Sequence, residues 1–145
     1  NNNLIQGNIV LENLGQNINQ NYIYNLDINN LSVTTHNGII NLNANYKKIL
    51  IDGESSKYQY LDDVYLIAGS GEGNSVNNNN FNIQITDSLT INNTCFDSGK
   101  CVITRGKSTI STDIYQDREL DYGDNLCDCK VNVKINNEPY LIVID

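Results

Sequence analysis

The sequence predicts an all-β chain, folded as an antiparallel β-sandwich of jelly-roll or immunoglobulin-like type, on three observations. Short runs that alternate apolar and polar residues recur between turn residues, at the roughly 8–12 residue spacing of sandwiches and barrels. The apolar residues are mostly Ile, Leu, Val and Tyr, which suit a pleated surface, whereas Ala occurs only at positions 44 and 68 and Met is absent. Hairpin signals stand at Asn37-Gly38 and across 136–139 (NNEP), and no segment sustains the 3.6-residue period of an amphipathic helix.

A strand at 8–14 (NIVLENL) opens the series. The segment 22–28 (YIYNLDI) places Tyr22, Tyr24, Leu26 and Ile28 on one face, and 31–33 (LSV) prolongs it past Asn29-Asn30. After the Asn37-Gly38 turn, 39–46 (IINLNANY) directs Ile40, Leu42, Ala44 and Tyr46 inward, and 48–52 (KILID) ends at Gly53. A strand at 63–69 (DVYLIAG) leads into 70–80 (SGEGNSVNNNN), whose Gly, Ser and Asn content predicts an exposed loop. Strands follow at 81–86, 88–95, 101–105 and 109–115, and the acidic segment 116–125 (QDRELDYGDN) interrupts them. The chain closes with 127–135 (CDCKVNVKI), with Cys127, Cys129, Val131, Val133 and Ile135 on one face, and with 140–145 (YLIVID) as its hairpin partner. The alternative architecture is a parallel β-helix, since LTINNT and LDINNL resemble solenoid rungs, but no fixed repeat survives beyond two copies.

The 145 residues fit a single domain spanning 1–145 that can bury one core. The start at NNNLIQ, without an initiating Met, is expected of a processed chain or of one domain cut from a larger protein. Nine Lys and Arg oppose seventeen Asp and Glu, for a net charge of −8, which repels phosphate backbones and anionic head groups. Nucleic acid is therefore excluded as an expected partner. Direct membrane insertion is excluded as well, because no apolar run approaches the roughly 20 residues that span a bilayer. An AT-rich codon bias accounts for abundant Asn, Ile and Tyr, yet it does not account for so few Lys.

Four cysteines, Cys95, Cys101, Cys127 and Cys129, form an even set without a compact zinc-finger spacing, which predicts disulfides and an oxidising compartment. Pairing Cys127 with Cys129 closes a small, strained ring. The two connectivities that cross-link the 95–101 turn to the 127–129 segment stay open.

Other constellations carry less chemistry. His36, the only histidine, reads as a turn residue without a partner nucleophile. The FDSG at 96–99 reads as a bend made by Asp97 and Gly99 rather than as half of an aspartic-protease site. GSGEG at 69–73 lacks the Lys and the helix that a phosphate loop needs. Asp117, Glu119, Asp121 and Asp124 gather hard oxygen donors within eight residues, which makes calcium the one cofactor to expect. Asn30 and Asn92 begin N-glycosylation sequons.

The resulting expectation is a non-enzymatic, extracellular or surface-displayed structural or interaction protein: a filament subunit, a virion surface or fibre domain, or an adhesin module. Self-association or binding to another surface protein is expected, because both chain ends are apolar enough to pair and LIVID is able to lend a strand. A carbohydrate-binding module, presenting a pair of exposed Tyr to a glycan, is the alternative. A glycan-acting enzyme is the second alternative, although acids occur throughout and none is singled out.

Overall fold

Each described strand except the last pairs with the strand that follows it in the chain. A computed structural model describes residues 4–55, 60–97 and 100–144. Its strands are β1 (Leu4–Gln16), β2 (Tyr22–Thr35), β3 (Gly38–Asp52), β4 (Val64–Asn74), β5 (Asn80–Asn92), β6 (Ile103–Thr112), β7 (Arg118–Asp124), β8 (Lys130–Ile135) and β9 (Glu138–Val143). A single helical turn, α1 (Thr94–Asp97), and a 3-10 turn at Tyr60–Asp62 are the helical elements among the described residues. The strands form one open, nine-stranded antiparallel sheet in the order β1 to β9. The expectation of an all-β antiparallel chain holds, but the expected stack of two sheets within the chain is replaced by one meander. Each connection returns directly to the adjacent strand, so nothing carries the chain over to a second layer. The parallel pairings of a β-helix are likewise not found among the described residues.

The alternation seen in the sequence becomes two chemically different faces. In β3, Ile40, Leu42, Ala44, Tyr46 and Lys48 are half-buried, while Asn41, Asn43, Asn45 and Lys47 are exposed. Register transmits this division, because directly opposed residues share a face. Leu26 and Ile28 of β2 stand opposite Tyr46 and Ala44, and Ile9 and Leu11 of β1 stand opposite Ile28 and Leu26. On the other side of β3, Gly71 and Gly73 face Ala44 and Leu42, then Ile83 and Phe81. The glycines make room for neighbouring side chains: a Cβ on Gly73 would lie 2.8 Å from Phe81 Cζ, and one on Gly71 would lie 2.9 Å from Ala44 Cβ. The predicted loop at 70–80 is thus mostly strand, with its turn confined to Ser75–Asn79.

Burial concentrates in the second half of the sheet. Ile85, Leu89, Val131 and Val133 on β5 and β8 are buried with Leu50 of β3, on the apolar face, and Cys95 of α1 has no exposed surface. Register shifts between Ile85 and Asp87 and between Asp87 and Thr90 bend the sheet there. Each such aliphatic side chain contributes on the order of 2 kcal/mol by leaving water. The acidic segment 116–125 does not interrupt the sheet as expected; it supplies β7, in which Leu120 and Tyr122 take the apolar side and Glu119 and Asp121 the polar one. Two strand expectations merge in each of β2, β3, β5 and β6, because bulges carry the chain through the Asn29-Asn30 pair and past Asp87 without ending the ladder.

Asparagine explains the turns. Among the described residues, Asn30, Asn78, Asn125, Asn136 and Asn137 hold positive φ, as do Gln20 and Cys129. Asn is the side chain that best tolerates this region after Gly. The last hairpin, expected to turn across 136–139, turns on Asn136 and Asn137 alone, at φ of 51° and 67°, and Glu138 and Pro139 already belong to β9. The first hairpin departs from expectation by one residue, since His36 and Asn37 make the turn and Gly38, at φ of 139°, already begins β3.

Candidate assembly interface

Apart from a half-buried Ile23–Ile49–Leu66 row on the polar side of β2 to β4, the inner strands alternate, whereas the two edge strands expose apolar side chains on both faces. On β1, Ile5, Ile9 and Leu11 share the apolar face and Leu4 and Val10 point the opposite way, and all five are exposed. On β9, Tyr140 and Ile142 share the apolar face and Leu141 and Val143 the polar one, again all exposed. Strands apolar on both sides belong in sheet interiors with layers on each face. Edge strands of monomers are ordinarily short, charged or covered. Glu12 is the sole charge on β1 and Glu138 the sole charge on β9.

The free backbone of β9 follows from its register. Next to a two-residue turn the flanking pair, here Ile135 and Glu138, exchanges hydrogen bonds, and the pairs alternate from there. The Ile144 N–H donating to the Cys129 carbonyl at 2.9 Å fits this phase. Pro139, Leu141 and Val143 therefore aim their backbone groups at the open edge. Pro139 offers no donor, and Leu141 and Val143 each offer a donor and an acceptor.

Two disulfides secure that end of the sheet. Cys95 pairs with Cys127 and Cys101 with Cys129, with Cα–Cα distances of 5.4 and 4.9 Å. They join the β5–β6 connection to the β7–β8 connection across the ends of β6 and β7. The expected pairing of the 95–101 turn with 127–129 is found, but the expected strand is not. Cys127 and Cys129 lie in the turn before β8, where Cys129 takes φ of 56°, so the thiols meet their partners from a loop rather than from an inward strand face. The bend expected at Asp97 and Gly99 falls partly outside the described residues, which omit Ser98 and Gly99. No described helix is long and apolar enough to cross a membrane.

The polar face carries an ordered array. One unbroken row runs in register from Asp27 through Asn45, Ser70, Gln84, Thr109 and Glu119 to Lys134. Asn45 and Asn25 amides both donate to Asp27, and further along the strands Asn74 donates to Asn80 and Asn80 to Asp113. Over β2 to β5 this face holds a shallow depression of about 440 Å³, lined by Asp27, Asn43, Asn45, Glu72, Asn82 and Gln84 among others. The exposed tyrosines Tyr60, Tyr115 and Tyr140 lie outside it.

The residues singled out for calcium are dispersed by the strand. Asp121 Oδ1 accepts from the Gly123 amide at 3.0 Å and Oδ2 from Lys107 Nζ at 3.0 Å, and both hold its carboxyl below the ordinary 3.8. Lys107 is raised in turn, chiefly by the hydrogen bond to Asp121. Glu119 lies 3.8 Å from Lys134, Asp124 stands opposite Arg105, and Asp117 precedes the strand. No three His, Cys, Asp or Glu among the described residues are grouped to hold a metal. Of the sequon residues, Asn30 is exposed on a bulge, and half-buried Asn92 accepts from the amide and hydroxyl of Thr94. His36 sits in its turn as expected. At the far end of the apolar face, Lys48 Nζ stacks 3.4 Å from the Tyr65 ring centroid and Tyr65 donates to Asp63. Burial lowers the Lys48 pKa, and burial followed by the Asp63 hydrogen bond raises that of Tyr65. Comparison with protein families, with curated proteins and with solved structures returned no match.

Proposed function

We propose that the chain is a non-enzymatic structural or interaction module displayed outside a cell or on a virion, which assembles by adding strands to its own sheet. The observation that carries this reading is the inversion of edge chemistry: β1 and β9 are apolar on both sides and open along one backbone edge. Two disulfides fit an oxidising compartment, in keeping with display. Pairing of β9 with β1 of the next copy is a head-to-tail contact, which repeats as a filament or closes as a ring. Leu141→Pro removes an outward donor of β9 and tests this. Negative-stain microscopy of the oxidised protein should show filaments or rings that the variant does not form; dispersed particles in both, or assemblies unchanged by the variant, contradict the reading.

A carbohydrate-binding role draws on the amide-lined depression over β2 to β5. Amide and carboxylate groups at strand spacing suit sugar hydroxyls, although no exposed Tyr of the described residues provides a stacking surface there. Retention on a glycan array, lost in Asn45→Ala and Gln84→Ala and unaffected by Leu141→Pro, is the outcome that favours it.

A further inference from the structure

We infer that the apolar face over β1 to β4 is covered by a second copy of this chain, packed face to face across a two-fold axis. The sandwich predicted from the sequence is then completed between two molecules rather than within one. This deepens the assembly reading above, on which it rests, by naming a partner and a symmetry for a surface that strand addition leaves bare.

The chain exposes 9571 Å². A folded monomer of 16.2 kDa is expected to expose only about 7,500 Å². The excess is about 2,100 Å² per chain, or about 4,200 Å² for a pair, which lies within the roughly 2,000–5,000 Å² that obligate interfaces bury. The excess is apolar in the right place: Ile5, Ile9 and Leu11 are 64%, 56% and 58% exposed on this face, beside half-buried Leu26, Ile28 and Leu42.

Charge selects the occupant. A chain of net charge −8 repels its own copy wherever its carboxylates meet. Through the body of β1 to β5 the apolar face bears one charged side chain, Lys48, which is already stacked on Tyr65. The carboxylates of Glu12, Asp27, Glu72 and Asp87 stand on the opposite face. Two copies can therefore join through this face with their acidic surfaces turned outward. A two-fold axis satisfies both copies at once, because the contact is isologous. Sheets so joined stack about 10 Å apart with strands within about 30° of each other.

Light scattering on edge-blocked protein separates this inference from strand addition. Leu141→Pro is expected to run at twice the 16.2 kDa chain mass, and adding Leu42→Glu on the apolar face should return it to a single chain. Adding Asn43→Glu, on the opposite face, should leave the pair intact. A Leu141→Pro protein that is already a single chain, while the parent assembles, overturns the face inference and leaves the edge reading standing. Full assemblies persisting in Leu141→Pro and lost in Leu42→Glu keep the inference and sink the edge reading. A parent protein of 16.2 kDa at all concentrations sinks both, and assigns the face to another segment or partner. Should Leu42→Glu fail to fold, nitration of Tyr46 in the edge-blocked chain decides. Its reactivity should rise several-fold on dilution while exposed Tyr115 stays constant, and equal behaviour of the two overturns the inference.

Discussion

Asparagine at positive φ is the residue-scale device on which the meander depends. Asn136 and Asn137 set the last hairpin, and with it the phase that leaves Leu141 and Val143 open. Asn137→Ala should cost about 1–2 kcal/mol, the penalty of a left-handed residue with a Cβ and no local hydrogen bond, while Asn137→Gly costs little. Urea unfolding of the two variants checks this. Asp121 gives a second residue-scale prediction. Its folded pKa is depressed, first by the Gly123 amide and then by Lys107, so its stabilisation is present above the unfolded value and is lost as pH falls through the folded one. Asp121→Asn should therefore lower the urea midpoint at pH 7, and the two midpoints should converge as pH drops below 3.8. The acidic cluster illustrates what residue types alone leave out. Four carboxylates in eight residues suggest calcium, but an extended backbone spaces Glu119 and Asp121 along one face about two residue rises, roughly 7 Å, apart, and the lysines opposite them are revealed only by register.

At the scale of elements, alternation is a dependable guide to faces and a poor one to ends. Ile40, Leu42, Ala44 and Tyr46 lie together as their spacing requires, and so do Tyr24, Leu26 and Ile28. Boundaries are obscured where glycine and asparagine occur inside strands. Gly69, Gly71 and Gly73 look like a loop until Tyr46 and Phe81 are seen to occupy the space that side chains there would need. The cysteine pairing lay between two open connectivities because spacing cannot orient a loop. The disulfides hold the β5–β6 connection to the β7–β8 connection, where β7 and β8 are short. Cys101→Ser with Cys129→Ser should cost about 2–4 kcal/mol, and so should Cys95→Ser with Cys127→Ser. Guanidinium midpoints with and without reductant measure this, and a reductant-insensitive parent contradicts it.

For the whole molecule, the sequence conveyed that one face of every inner strand is apolar, and a sandwich is the usual way to cover such a face. It could not convey which polypeptide does the covering. The short connections keep all nine described strands in one layer, so the apolar face and the two edges look outward from a single chain. The most direct measurement is hydrogen exchange of the Leu141 and Val143 amides across a concentration series. Protection that grows with protein concentration is the predicted result, because a neighbouring strand must then cap the β9 edge. Rapid exchange of both amides at every concentration contradicts the account.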